Sequence, residues 1–160
     1  MNSPLMRKRL RAPHVLLGLA LLLVMSMASL VTSTANADAI DQLSDADRAA
    51  IRQTISSQIE AFKADDADLA FSFATPMIQS RFGDASRFVA MVKRGYMPVY
   101  RPRQVEFSDL LDVRGKPTQR LVVIGPDNDV FSAYYMMERQ DDASWRISGV
   151  ILRPIGDRAI

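Results

Sequence analysis

The spacing of apolar residues changes once along this chain, near Pro102. Before it the period is helical. Ser44 and Asp47 read as a capping box, in which the serine oxygen accepts from the first turn and the aspartate reaches back, with Asp45 favoured by the helix dipole. Ile51, Ile55, Ile59 and Phe62 follow at steps of four, four and three, which predicts a helix over 45–63 with one apolar face. Residues 65–74 restart helix, with acids in the first turn and Leu69, Ala70 and Phe73 inward. Pro76 suits the first turn of a short helix that Gly83 stops. Asp84 caps a further segment, carrying Phe88, Val89, Met91 and Val92 and ending at Gly95.

After Pro102 the pattern is that of strands. Residues 103–113, 118–125, 130–139 and 145–153 are rich in β-branched and aromatic side chains, and "RGKP", "PDND" and "DDAS" separate them as turns. Four strands joined by tight turns predict an antiparallel meander. Helices first and sheet second make an α+β domain, with the N-terminal helices on one face of a curved four-stranded sheet. The stretch between the two halves, "KRGYMPVYRP" (93–102), is expected to run extended as a stiff connector. Gly95 ends a helix, and Pro98 and Pro102 bias Met97 and Arg101 away from helical angles. Tyr96 and Tyr100 would then point to one side, either anchoring the connector over the mouth of the fold or binding what enters it.

The residues before Asp38 change the composition argument. "RKRLR" (7–11), the apolar run "VLLGLALLLVM" (15–25) and "ANA" (35–37) have the three parts of a secretory signal, so residues 1–37 read as a leader cleaved after Ala37. The alternative is an uncleaved anchor, since the uncharged stretch from Pro13 to Val31 approaches the length that spans a bilayer. Residues 38–43 then form a loosely held lead-in, and 44–160 the single domain. Four of the 20 Lys and Arg residues lie in the leader and none of the 18 acids does, so the mature chain has 16 cations against 18 acids, a formal charge of −2. The basic balance belongs to the leader, which argues against nucleic acid as a partner. A periplasmic or secreted location follows, with no stable membrane anchor after cleavage.

The one histidine, His14, also lies in the leader, and the chain has no cysteine. Nucleophiles that depend on His or Cys, and zinc sites built from them, are thereby excluded from the mature domain, and no cofactor or metal is expected. "PDND" is too short for a calcium loop.

The arrangement resembles the nuclear-transport-factor-2-like fold, the α+β cone of ketosteroid isomerase and scytalone dehydratase. More narrowly, "GYMPVYRP" with the closing "WRISGVIL" resembles a bacterial exported family, known only as a domain of unknown function and assigned to that fold, over about residues 45–154. The resemblance implies a cavity between helices and sheet and brings no catalytic residues with it. In enzymes with this cone a buried carboxylate or histidine acts with a hydrogen-bond donor. Asp109 is therefore the candidate base, because it shares a strand phase with Val105, Phe107, Leu111 and Val113; a β-bulge near 108–111 would instead turn it to solvent. Tyr134 and Tyr135, adjacent on a strand, must face opposite sides of the sheet. One of them belongs to the cavity.

Between Asp84 and Glu106 there are five cations and no acid, and Arg94 and Arg101 flank the connector as candidate anion contacts. The leading expectation is an exported, non-enzymatic domain that binds a small apolar or amphipathic molecule or an envelope protein. A lyase or isomerase using Asp109 and a tyrosine is the alternative, and a structural or inhibitory partner of an envelope protein is the third. Because "LVVI" (121–124) and "FSAYYMM" (131–137) place apolar groups on both faces of the sheet, the outer face is also expected to form a homodimer.

Overall fold

A computed structural model describes residues 38–156. The expected leader (1–37), its cleavage point after Ala37 and His14 lie outside the described residues. Among those described, no helix is long and apolar enough to cross a membrane.

Within the described residues six helical segments precede four strands: α1 (Asp38–Asp41), α2 (Asp45–Lys63), α3 (Ala67–Ser72), α4 (Pro76–Phe82), α5 (Ala85–Gly95), α6 (Met97–Tyr100), β1 (Gln104–Val113), β2 (Lys116–Ile124), β3 (Val130–Arg139) and β4 (Trp145–Pro154). The strands form one open antiparallel sheet in sequence order, so the fold is α+β with the helices against one sheet face. The capping box is formed at Ser44 and Asp47. Asp47 does more than cap: its Oδ1 also accepts from the Trp145 indole at 3.1 Å, and Thr54 donates to the Trp145 carbonyl, so α2 is tied to the start of β4. The apolar face of α2, through Ile51, Ile55, Ile59 and Phe62, is buried against the sheet.

The phase of the sheet is set by pairing. Phe107, Leu121, Ala133 and Leu152 form one transverse row, and Leu110, Gln119, Tyr135 and Val150 another, both on the helix side. Glu106, Val122, Ser132 and Arg153 form a row on the opposite face, as do Leu111, Thr118, Met136 and Gly149. Tyr135 therefore faces the core and is fully buried, and Tyr134 faces outward. Two bulges interrupt the rows. In β1 the register shifts between Phe107 and Leu110; in β4, opposite Met136 and Met137, Ser148 is the extra residue and its hydroxyl donates to the Met136 carbonyl.

The β1–β2 turn is tighter than "RGKP" suggests. Arg114 and Gly115, both with positive φ, form a two-residue loop whose twist matches the flanking strands, so Lys116 and Pro117 already belong to β2.

Two connecting segments differ from expectation. Residues 38–43 are not a loose lead-in throughout: α1 is a single turn, Arg48 donates to the Ile40 carbonyl at 2.7 Å, and Leu43 packs against the core. The segment 93–102 does not run extended. Residues 97–100 make a helical turn, with Tyr96 O accepting from Val99 and Tyr100 and Met97 O from Arg101. Pro98 is compatible with this because it lies in the first turn, where a missing N–H costs no intrahelical bond.

The turn is clamped to the end of α2. Asp65, at φ 57°, accepts from the Tyr100 hydroxyl on one oxygen and from the Arg101 guanidinium at 2.6 Å on the other. Arg101 also donates to the Phe62 carbonyl and stacks over the Tyr100 ring at 4.1 Å, with Lys93 5.0 Å from the same ring. The Tyr100 ring is 5.5 Å from Phe62 and is buried, whereas Tyr96 is only half-buried.

Burial separates the two tyrosines energetically. Tyr100→Ala should lower unfolding stability by about 3 kcal/mol or more, as for large aromatic truncations in cores, and Tyr96→Ala should cost clearly less; equal losses in urea denaturation would contradict this anchoring.

The clamp also implies acid sensitivity. The Tyr100 hydroxyl first, and then Arg101, hold the Asp65 carboxyl below the usual carboxylate range. A depressed folded-state pKa stabilises the fold above the unfolded value, near 3.9, and that contribution is lost as pH falls through the folded value. The stability difference between the wild type and Asp65→Asn should be full at pH 6 and shrink as the pH drops below about 4. A gap that stays constant down to pH 2 would assign the effect to something other than the carboxylate.

Candidate functional site

A cavity of about 590 Å³ lies between the helices and the end of the sheet, within the range of small-molecule sites. Its walls come from six places, of which the joint between α3 and α4 contributes Ala74. α2 contributes Gln58 and Phe62; α4 contributes Met77, Ile78, Arg81 and Phe82; α5 contributes Phe88, Met91 and Val92; Tyr96 and Val99 close one side; and β4 contributes Ile147, Ser148, Gly149 and Val150.

The position of α4 has a specific cause. Ala74 bridges in parallel to Ile147, with Ile147 N donating to Phe73 O at 2.9 Å and Thr75 N to Ile147 O at 3.0 Å. The α3–α4 joint thus adds one step of pairing to the free edge of β4. Gln79 then donates from its amide to the Phe71 and Ala74 carbonyls, securing α4 to the end of α3. Beyond these ties α4 has no buried residue. It spans the opening as a rim, with Met77 65% exposed and Arg81 exposed.

The bulge in β4 completes the opposite wall. With Ser148 extra, Ile147 and Val150 both face the helices and the strand backbone between them is carried along the cavity. On the other side of the strand a Cβ at Gly149 would meet the Met136 methyl at 2.6 Å, so the end of that flexible side chain would have to shift to admit one. The lining is mostly apolar. Phe88 is central to it, with ring centroids 6.1 Å from Phe62, 5.1 Å from Phe71 and 5.5 Å from Phe82. The polar members are Gln58, whose amide donates to the Ala70 carbonyl at 3.1 Å, Ser148, Tyr96 and Arg81.

The residues singled out from the sequence are dispersed. Asp109 is not on the apolar side. The β1 bulge changes the strand phase, so that Val105 and Phe107 face the helices whereas Leu111 and Val113 face out. Gln119, buried, holds the bulge by donating to the Ser108 carbonyl at 2.9 Å and the Asp109 carbonyl at 3.3 Å. The Asp109 side chain is 63% exposed and pairs with Arg120 at 2.6 Å, which holds its carboxyl below the usual range. A carboxylate so placed is an ion-pair partner and a poor proton acceptor near neutral pH.

Tyr96 lines the cavity; Tyr100, Tyr134, Tyr135, Arg94 and Arg101 do not. Tyr100 and Arg101 are engaged in the clamp on Asp65. Burial pushes the Tyr135 phenol up, and its hydroxyl has no partner among the described residues. Arg94 is exposed at the end of α5 and forms no ion pair with any described residue. Arg81, which carries the one charge among the described residues of the cavity lining, was not legible as a site residue, because in sequence it is simply the last-turn cation of a short helix. No group of His, Cys, Asp or Glu among the described residues has the arrangement of a metal site.

Comparison with curated proteins and with solved structures returns no match. A family model described as a domain of unknown function (DUF4864) matches residues 44–160, the whole span from the N-cap of α2 onward, and the chain belongs to that family.

Proposed function

We propose that this chain is an exported, non-enzymatic binding domain of nuclear-transport-factor-2-like architecture that takes up a small apolar or amphipathic molecule between its helices and sheet. The observation that carries this reading is the 590 Å³ cavity, walled by Phe62, Phe82, Phe88, Ile147 and Val150 and rimmed by exposed Met77. Apolar walls with a few polar groups are what such ligands require, and methionine at the rim adapts to varied shapes. Acid–base chemistry is less well supported, since the candidate base, Asp109, is paired with Arg120 away from the lining. Export is supported by the three-part leader before Asp38.

One preparation tests both parts. The protein recovered from the envelope fraction should have the intact mass of a chain beginning at Asp38, and it should bind the neutral dye Nile red with a fluorescence gain that Ile78→Trp, which narrows the cavity, abolishes without loss of folding. Recovery of only the full-length chain in membranes would refute cleavage after Ala37 and with it a free periplasmic domain. Dye binding that is absent, or indifferent to Ile78→Trp, would refute the cavity reading.

A second property has its own observation. The outer sheet face carries Val122, Ile124, Tyr134, Met136 and the exposed Leu111 and Ile151, more apolar surface than a solvated face usually has. Glu106 and Arg153 lie at opposite edges of one outward row and form no ion pair with any described residue. A two-fold axis parallel to the strands, between β2 and β3, would bring each Glu106 opposite Arg153 of a second copy. The proposal is a sheet-to-sheet homodimer. Light scattering at micromolar concentration should give twice the chain mass, Glu106→Arg should shift it toward monomer, and Arg153→Glu added to Glu106→Arg should restore it. A monomeric wild type would remove the interface.

A further inference from the structure

We infer that the ligand of the cavity carries an oxyanion headgroup, a carboxylate or phosphate on an apolar chain, and that Arg81 is the residue that selects it. The inference rests on the binding reading above and adds the headgroup. Among the described residues, Arg81 carries the one charge in the lining, and no acidic side chain there opposes it. It makes no hydrogen bond or ion pair with any described residue, unlike Arg87, Arg101 and Arg120, which are held by Asp84, Asp65 and Asp109.

Its place on α4 gives the geometry. α4 is fixed at its start by the Ala74–Ile147 bridge and at Gln79 by the carbonyls of Phe71 and Ala74, so Arg81 projects from a positioned rim. Ile78 and Phe82, beside it on the same helix, line the cavity. A ligand with its chain along these residues and toward Phe88 has its head at the rim, within the region Arg81 serves. Tyr96, also in the lining, is half-buried and its hydroxyl bonds to no described residue, so it offers a further donor. A guanidinium presents paired N–H donors that match the two oxygens of a carboxylate or phosphate. A cationic head would be repelled there, and a neutral one could accept a hydrogen bond but form no ion pair.

The test uses the mature domain with Nile red in the cavity, displaced by four ten-carbon amphiphiles: decanoate, decyl phosphate, 1-decanol and decyltrimethylammonium. Decanoate or decyl phosphate should displace the dye at about tenfold lower concentration than 1-decanol, the ratio expected of one charge-assisted contact; whichever of the two is stronger identifies the head as carboxylate or phosphate. Arg81→Gln should remove that preference and leave 1-decanol unchanged, and Arg81→Lys should restore part of it. Equal displacement by anionic, neutral and cationic chains, or a preference that survives Arg81→Gln, overturns the headgroup assignment while leaving the cavity reading intact. Failure of Nile red itself to bind overturns both.

Discussion

Two backbone hydrogen bonds, from Ile147 N to Phe73 O and from Thr75 N to Ile147 O, decide what this domain can hold. They join the α3–α4 joint to the open edge of β4 at a single residue, directly before the strand bulges at Ser148. The pairing does not continue beyond this one step. Instead the chain leaves the sheet edge after one step and crosses the opening as a short helix with nothing buried. The edge is protected locally, and the cavity is the consequence.

Two further polar ties of the helix layer lie at the margins of that space. At the far end, Asp47 links the first turn of α2 to the Trp145 indole. At the near end, Asp65 gathers the Tyr100 hydroxyl and Arg101 guanidinium, and so fixes α6 to the end of α2. Both carboxylates serve a structural purpose by satisfying donors on segments distant in sequence. Between the two ties the contacts are apolar apart from the bonds of Thr54 to the Trp145 carbonyl and of Gln58 to the Ala70 carbonyl. A helix layer held at its ends and packed through Ile51, Ile55 and Phe62 at its centre leaves the side toward α4 as the place where a guest molecule can be accommodated without breaking polar contacts.

The connector "KRGYMPVYRP" shows how one composition serves two roles. Its aromatic and cationic residues look like a binding loop, yet Tyr100, Arg101 and Lys93 are turned toward one another and Asp65. Tyr96, four residues earlier, faces the cavity. A helical turn in place of an extended run makes the division: it sinks Val99 and Tyr100 into the core and leaves Tyr96 at the boundary. The connector is thus an anchor that contributes one side chain to the site.

Much of the architecture follows from local rules. The limits of α2 follow from the Ser44–Asp47 capping box and the isoleucine spacing, α4 starts at Pro76 and stops before Gly83, and β3 occupies the β-branched and aromatic run 130–139. Such features depend on residues within a few positions of one another, so the sequence by itself determines them. The phase of each strand does not. Whether Tyr134 or Tyr135 faces inward, and whether Asp109 joins the apolar side, depends on two bulges held by partners on other strands, Gln119 for β1 and the Met136 carbonyl for β4. The helical turn at 97–100 was likewise hidden, because proline in a first turn and proline in an extended segment read alike until Asp65 supplies the clamp. Arg81 gains its significance only when α4 is bridged to β4 and its neighbours Ile78 and Phe82 become a cavity wall. Local propensity sets where elements begin and end; long-range pairing decides which side chains meet, and the candidate site consists entirely of such meetings.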